Sequence, residues 1–148
     1  MSQDTEDIRN LLPLRYPYLM VDRILEKTPT SVVALKNVTL DEPFFQGHFP
    51  APLPAVMPGT LILEAMAQTA AFLLQQEKNG GGYLVGVEKA RFRRKVIPGD
   101  QLILHARVLR RKGGLLQAAV EANVAGEIAA AATISLLATR SKDDGSTH

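Results

Sequence analysis

The run from Pro58 to Leu74, P-G-T-L-I-L-E-A-M-A-Q-T-A-A-F-L-L, most constrains how this chain can fold. It has helical composition and from Thr60 onward is apolar almost all the way round, so it has no face to give to water. A helix of that kind must be covered on every side. Pro58 suits the first helical turn, where a missing N–H costs nothing, and Gly80-Gly81-Gly82 is expected to stop the helix. The run is too short and too polar for a membrane span, because Glu64 and Gln68 interrupt it.

Those two polar residues are four apart and so share one helix face. A carboxylate in mid-helix among apolar neighbours must be paired, neutral or turned toward a cavity. Just upstream lies the proline-bound loop F-F-Q-G-H-F-P-A-P-L-P-A-V-M, with His48 the only histidine near the helix. A buried acid and a loop histidine beside a helix N-terminus form a candidate acid–base pair. The bland alternatives are a polar turn histidine and a structural glutamate.

Around this element the pattern is mostly β. Residues 4 to 12 suggest a short helix ended by Pro13. Strands are expected at Tyr18–Lys27, Ser31–Leu40, Tyr83–Arg91, Gln101–Lys112, Leu115–Val124 and Glu127–Thr139. Pro98-Gly99-Asp100, Gly113-Gly114 and Gly126 mark the turns between the later strands, the last three of which should form an antiparallel meander. Six strands and one buried helix imply an α+β domain over 1–140 whose sheet curls around the helix, followed by a polar tail at 141–148. The helix face left over calls for a second copy of the chain. Arg15 and Asp22 are expected to form an ion pair.

Composition narrows the function classes. A net charge of +2 with no long basic run and no RNA-binding aromatic motif gives no argument for nucleic acid. The chain has no cysteine, which removes disulfides, thiolate metal sites and a cysteine nucleophile. No His/Asp/Glu grouping has metal-ligand spacing, and no glycine-rich phosphate loop implies a nucleotide cofactor. The acidic, polar start M-S-Q-D-T-E-D is unlike a signal peptide, so a soluble cytoplasmic protein is expected.

Four linked stretches, L-L-P-L-R-Y-P-Y-L-M-V-D-R, K-N-V-T-L-D-E-P-F-F-Q-G-H-F-P, V-M-P-G-T-L-I-L-E-A-M-A-Q and K-A-R-F-R-R-K-V-I-P-G-D-Q-L, resemble the FabZ-type 3-hydroxyacyl-[acyl-carrier-protein] dehydratases of type II fatty acid synthesis. The resemblance runs in order from about Ile8 to Thr139. It implies a hot-dog fold, with a six-stranded antiparallel sheet wrapped around a long central helix, and homodimers that commonly assemble as a trimer of dimers. It also implies that His48 of one chain faces Glu64 of the other. The chain departs from the family pattern at Leu14, where histidine is usual, and at Lys95, where proline is common. Its Ala51–Ala55 segment is two residues longer than usual and lacks a second histidine. Residues 51 to 55 are expected to bulge outward.

Dehydration of a 3-hydroxyacyl thioester needs a base for the proton next to the carbonyl, an acid for the departing hydroxide and a donor for the enolate-like oxygen. His48 suits the base, and Glu64 suits the acid if burial keeps it protonated. By resemblance the Gly59 N–H at the positive helix end polarises the thioester carbonyl, and Phe49, Ile97 and Pro98 line the acyl tunnel. Gln68 could orient the acid or a water. The basic group Arg91, Arg93, Arg94 and Lys95, near Arg110, Arg111 and Lys112, could receive an acidic acyl carrier protein bearing the phosphopantetheine-linked substrate. His105 falls on the polar face of its strand and is read as solvated. The same residues leave open a coenzyme A ester hydratase or thioesterase, and an inactive subunit that binds the carrier.

Overall fold

The computed structural model describes residues 5–74 and 81–139. Asp4, Gly80 and the tail at 141–148 lie outside them. Helix α1 (Thr5–Leu11) leads to strands β1 (Arg23–Lys27) and β2 (Ser31–Asn37), a 3-10 turn (Pro43–Gln46) and helix α2 (Gly59–Ala71). Strands β3 (Gly82–Phe92), β4 (Gln101–Lys112), β5 (Leu115–Val124) and β6 (Glu127–Ala138) complete the chain. All six strands join one antiparallel sheet in the order β1-β2-β4-β5-β6-β3. The sheet packs around α2, which gives the hot-dog arrangement that the resemblance implies.

Strict alternation produces the core. Val32 and Ala34 on β2, Leu102, Leu104 and Ala106 on β4, Leu116, Ala118, Val120 and Ala122 on β5, and Ile134 and Leu136 on β6 all turn inward. They meet Ile62, Ala65, Met66 and Ala70 of α2. Each fully buried Leu or Ile contributes about 1.5–3 kcal/mol. The β4–β5 hairpin turns on Gly113-Gly114, where Gly113 has φ +60°, a left-handed conformation that glycine adopts without strain.

Three expectations needed correction. The first strand begins at Arg23 rather than Tyr18, because Gln68 takes the backbone there: Met20 N–H donates to its Oε1 at 2.7 Å and its Nε2 donates to Tyr18 O. Helix α2 ends at Ala71, and the Arg111 guanidinium donates to Leu73 O at 2.6 Å, so a side chain from β4 satisfies a terminal carbonyl. Arg15 and Asp22 are not paired. Arg15 donates to the carbonyls of Leu12, Leu14 and Arg9, while the Asp22 carboxylate accepts from Asn37 N–H at 2.7 Å.

Among the described residues, two neighbouring surfaces stand exposed. On α2, Thr60 is exposed and Leu61, Leu63 and Glu64 are only partly buried. At the sheet edge, β3 exposes Tyr83, Leu84, Val85, Val87 and Phe92. An edge strand that shows both its apolar side chains and its unpaired backbone is a template for another chain.

Candidate active site

Glu64 lies one turn into α2 and faces a cavity of about 220 Å³ lined by Leu12, Leu14, Gln68, Tyr83, Leu84 and Leu136, among others. Burial among these mostly apolar groups pushes the carboxyl above its ordinary value of 4.5, partly offset by a hydrogen bond from Gln68. Gln68 is itself only 3% exposed, and its bonds to residues 18 and 20 fix which way the amide points. The sequence thus places a carboxyl and a fixed amide four apart on one helix face.

The raised carboxyl has a consequence for stability. The folded chain holds the Glu64 proton more tightly than the unfolded chain, so this contribution is complete below about pH 4.5 and is lost as pH rises through the folded value. Glu64→Gln removes that loss. Its Tm is expected to exceed that of the wild type, by a margin that widens above pH 4.5 and levels off once the wild-type carboxyl is ionised. The half-exposed position keeps the effect to a few degrees at most. Thermal melts from pH 4 to 9 check it, and a margin that shrinks with pH would contradict the sign.

His48 follows the 3-10 turn, with its N–H donating to Phe44 O at 3.0 Å. Its Nδ1 lies 2.6 Å from Val56 O. A carbonyl can only accept, so Nδ1 carries the hydrogen and Nε2 is the ring nitrogen turned away from this bond. The ring stacks on Phe49, with centroids 4.6 Å apart. Phe49 has φ +54°, a left-handed conformation that costs an aromatic residue energy and recurs at functional loops. The His48–Val56 bond closes the base of the intervening loop. Ala51 to Pro54 are exposed, and Leu53 N–H turns back to Pro50 O at 3.0 Å, so the extra length projects outward as expected.

Gly59 opens α2 and lines a second cavity of about 340 Å³ with Val56, Ile62, Phe92, Arg93, Arg94 and Lys95. No side chain caps this end, and Leu61 and Ile62 both donate to Pro58 O. The first N–H groups of the helix are therefore available to a ligand. A Cβ on Gly59 would lie 3.1 Å from the Phe92 ring, so any larger residue crowds this floor.

Within one chain the expected residues fall into three groups. Glu64 meets Gln68, His48 meets Phe49, and Gly59 meets Arg93, Arg94 and Lys95. Ile97 is exposed and Pro98 lines a separate cavity with Leu40 and Gln101, so neither borders the Glu64 cavity of its own chain. In the basic cluster, Arg94 is committed to Glu127 at 2.7 Å, while Arg91, Arg93 and Lys95 are exposed. His105 is solvated, as expected. Sequence reasoning missed Leu14, Tyr83 and Leu84 as neighbours of Glu64. Leu14 carried a signal, since it departs from the family pattern in a motif otherwise kept.

The FabA-like domain family model matches residues 12–133. The 3-hydroxyacyl-[acyl-carrier-protein] dehydratase FabZ of Polynucleobacter asymbioticus is 54% identical over 143 residues, covering 94% of each chain. The protein of the same name from Streptococcus uberis is 49% identical over 134 residues, covering 88% of this chain and 94% of its own. Among solved structures, the dehydratase heterocomplex ApeI:P of Xenorhabdus doucetiae superposes with TM-score 0.74 at 16% identity, covering 92% of both chains. A hypothetical thioesterase with coenzyme A from Streptococcus pneumoniae gives 0.60 at 14% identity, covering 80% of this chain and 87% of its own. At those identities the two structures bear on the fold alone.

Proposed function

Because the chain belongs to the FabA-like family, and within it to the FabZ dehydratases, we propose that it converts (3R)-3-hydroxyacyl-[acyl-carrier-protein] to the trans-2-enoyl thioester. The observation that carries this reading is Glu64: a carboxyl whose hold on its proton is strengthened by burial, set beside Gln68 and facing a cavity. His48 Nε2 takes a proton from C2, and Glu64 delivers one to the C3 hydroxyl as the C3–O bond breaks. The C2–H electron pair becomes the C2=C3 bond and water leaves. The Nδ1–H bond to Val56 O holds the ring in place and stabilises the imidazolium as it forms. The Gly59 N–H, at the positive end of α2, receives the charge that develops on the thioester oxygen.

The two reacting side chains come from different chains in this reading. Two features support it: Glu64 sits on the uncovered side of α2, and the apolar edge β3 borders its cavity through Tyr83 and Leu84. A second copy paired on that edge brings its His48 loop to the open cavity. Assembly of three such dimers, and a cytoplasmic setting, belong to the same reading.

Substrate arrives on an acidic carrier at the Gly59 cavity, whose rim carries Arg93 and Lys95. Absorbance-monitored turnover of a carrier-bound enoyl substrate by the wild type tests the activity directly; no turnover of carrier or coenzyme A esters would overturn it. For docking, Arg93→Glu/Lys95→Glu is expected to raise KM for the carrier-bound substrate about tenfold at low salt, with the gap narrowing as salt rises. KM for a small thioester analogue should change less than about twofold. Equal effects on both substrates would remove the docking role.

A further inference from the structure

Lys36 does not belong where its strand puts it. The alternation of β2 places it on the inward face with Val32 and Ala34, and it is only 5% exposed. Its ammonium reaches both oxygens of Glu42, at 3.1 and 3.0 Å, and the Glu42 carboxylate also accepts from Thr39 N–H at 3.3 Å. A buried pair of this kind gains little stability over apolar side chains of similar volume. Its position suggests another use, since Glu42 stands at the N-cap position of the 3-10 turn that delivers His48.

We propose that Lys36 and Glu42 are positioning residues for His48, a buried ionic anchor that sets where the imidazole of the dehydratase site stands. The path is short and made of named bonds. Glu42 O accepts from Phe45 N–H at 3.1 Å, and Phe44 O accepts from both Gly47 N–H at 3.3 Å and His48 N–H at 3.0 Å. The Phe44 and Phe45 rings pack edge to face at 4.6 Å, with Phe45 buried in the core. Downstream, the imidazole is tied to Val56 O, and Met57 N–H donates to Val96 O at 2.7 Å. His48 is thus suspended between two anchors. The downstream one is backbone held against backbone; in the upstream one, beyond buried Val38 and its bonds to Gly99 and Asp100, the Lys36–Glu42 pair is the side-chain tie that fixes the start of the turn. Leu40 and Asp41 between Lys36 and Glu42 are exposed, so they add no packing of their own.

The inference rests on the dehydratase reading for its kinetic arm and is independent of it for its spectroscopic arm. Lys36→Met and Glu42→Gln each strand one buried charge and should lower both Tm and kcat. Lys36→Met/Glu42→Met removes both charges and is expected to recover Tm to near the wild-type value. Its kcat should stay roughly 10- to 100-fold down with KM within about twofold, because a loosely held base misses near-attack geometry. In protein labelled with ¹⁵N-histidine, the His48 Nδ1–H resonance, assigned by its loss in His48→Ala, should shift or broaden in the double variant. Glu42→Asp keeps the charge but shortens the reach, so it covers the case in which the double variant does not fold. It should fold, lose kcat and perturb the same resonance.

A double variant, or Glu42→Asp, with wild-type kcat and an unchanged His48 resonance would overturn the proposal. Wild-type protein that is inactive but whose His48 resonance responds to these substitutions would instead overturn the dehydratase reading and leave the anchor standing.

Discussion

Mixing His48→Ala chains with Glu64→Gln chains is expected to restore about a quarter of wild-type dehydratase activity to two proteins that are each inactive alone. Each single variant should lose roughly 10²- to 10⁴-fold in kcat, since each removes one of the two proton-transfer groups. In a two-fold dimer with His48 and Glu64 on opposite sides of each site, a mixed dimer has one site with both residues intact and one with neither. Random exchange makes about half the dimers mixed, and half of their sites are whole. If both residues acted within one chain, every site would lack one of them and mixing would restore nothing. The assay is therefore a reading of geometry. Coexpression with differently tagged chains, followed by purification of the mixed species, should raise the recovered activity to about half.

The sheet and its order along the chain were legible because period-two alternation survives in β2, β4, β5 and β6, and because glycine turns punctuate them. The site residues were legible one at a time. Glu64 and Gln68 interrupt an apolar helix, and His48 stands alone in a proline-rich loop. Their mutual placement was not legible, because the groups that set it are far away in sequence or are backbone atoms. Arg111 finishes α2 from 38 residues beyond Leu73, and Gln68 displaces the start of β1 from 48 residues beyond Met20. Val56 holds His48 through a carbonyl that any residue would have supplied. Lys36 is a different case. Its place among the inward residues of β2 was visible in the alternation, and a lysine in a core register signals a partner, which Glu42 provides six residues on. The basic cluster read as four equivalent charges, yet the partner of Arg94, Glu127, opens β6, which pairs with β3 only after β4 and β5 have intervened in the sequence.

Substitution of Val85 by lysine is expected to separate the chains and abolish activity together, at little cost to the fold. Val85 is 54% exposed on the outermost strand, so a lysine there meets solvent in the single chain and strains nothing. In the proposed two-fold assembly the edges of two β3 strands lie side by side, so one substitution introduces a charge twice, close to its own copy. Lysine on an edge strand is a common device for preventing such pairing. The expected result is a shift from dimer or larger species to monomer by sedimentation, far-UV circular dichroism retained, and kcat/KM down at least about 100-fold, because in the proposed site the histidine that faces Glu64 belongs to the second copy. The link between assembly and chemistry is the sharp part. A monomer that keeps wild-type activity would mean that His48 and Glu64 of one chain can meet. A dimer that survives the lysine would mean that the second copy covers α2 by some surface other than β3, and Tyr83 and Leu84 would then be free to act as walls for substrate.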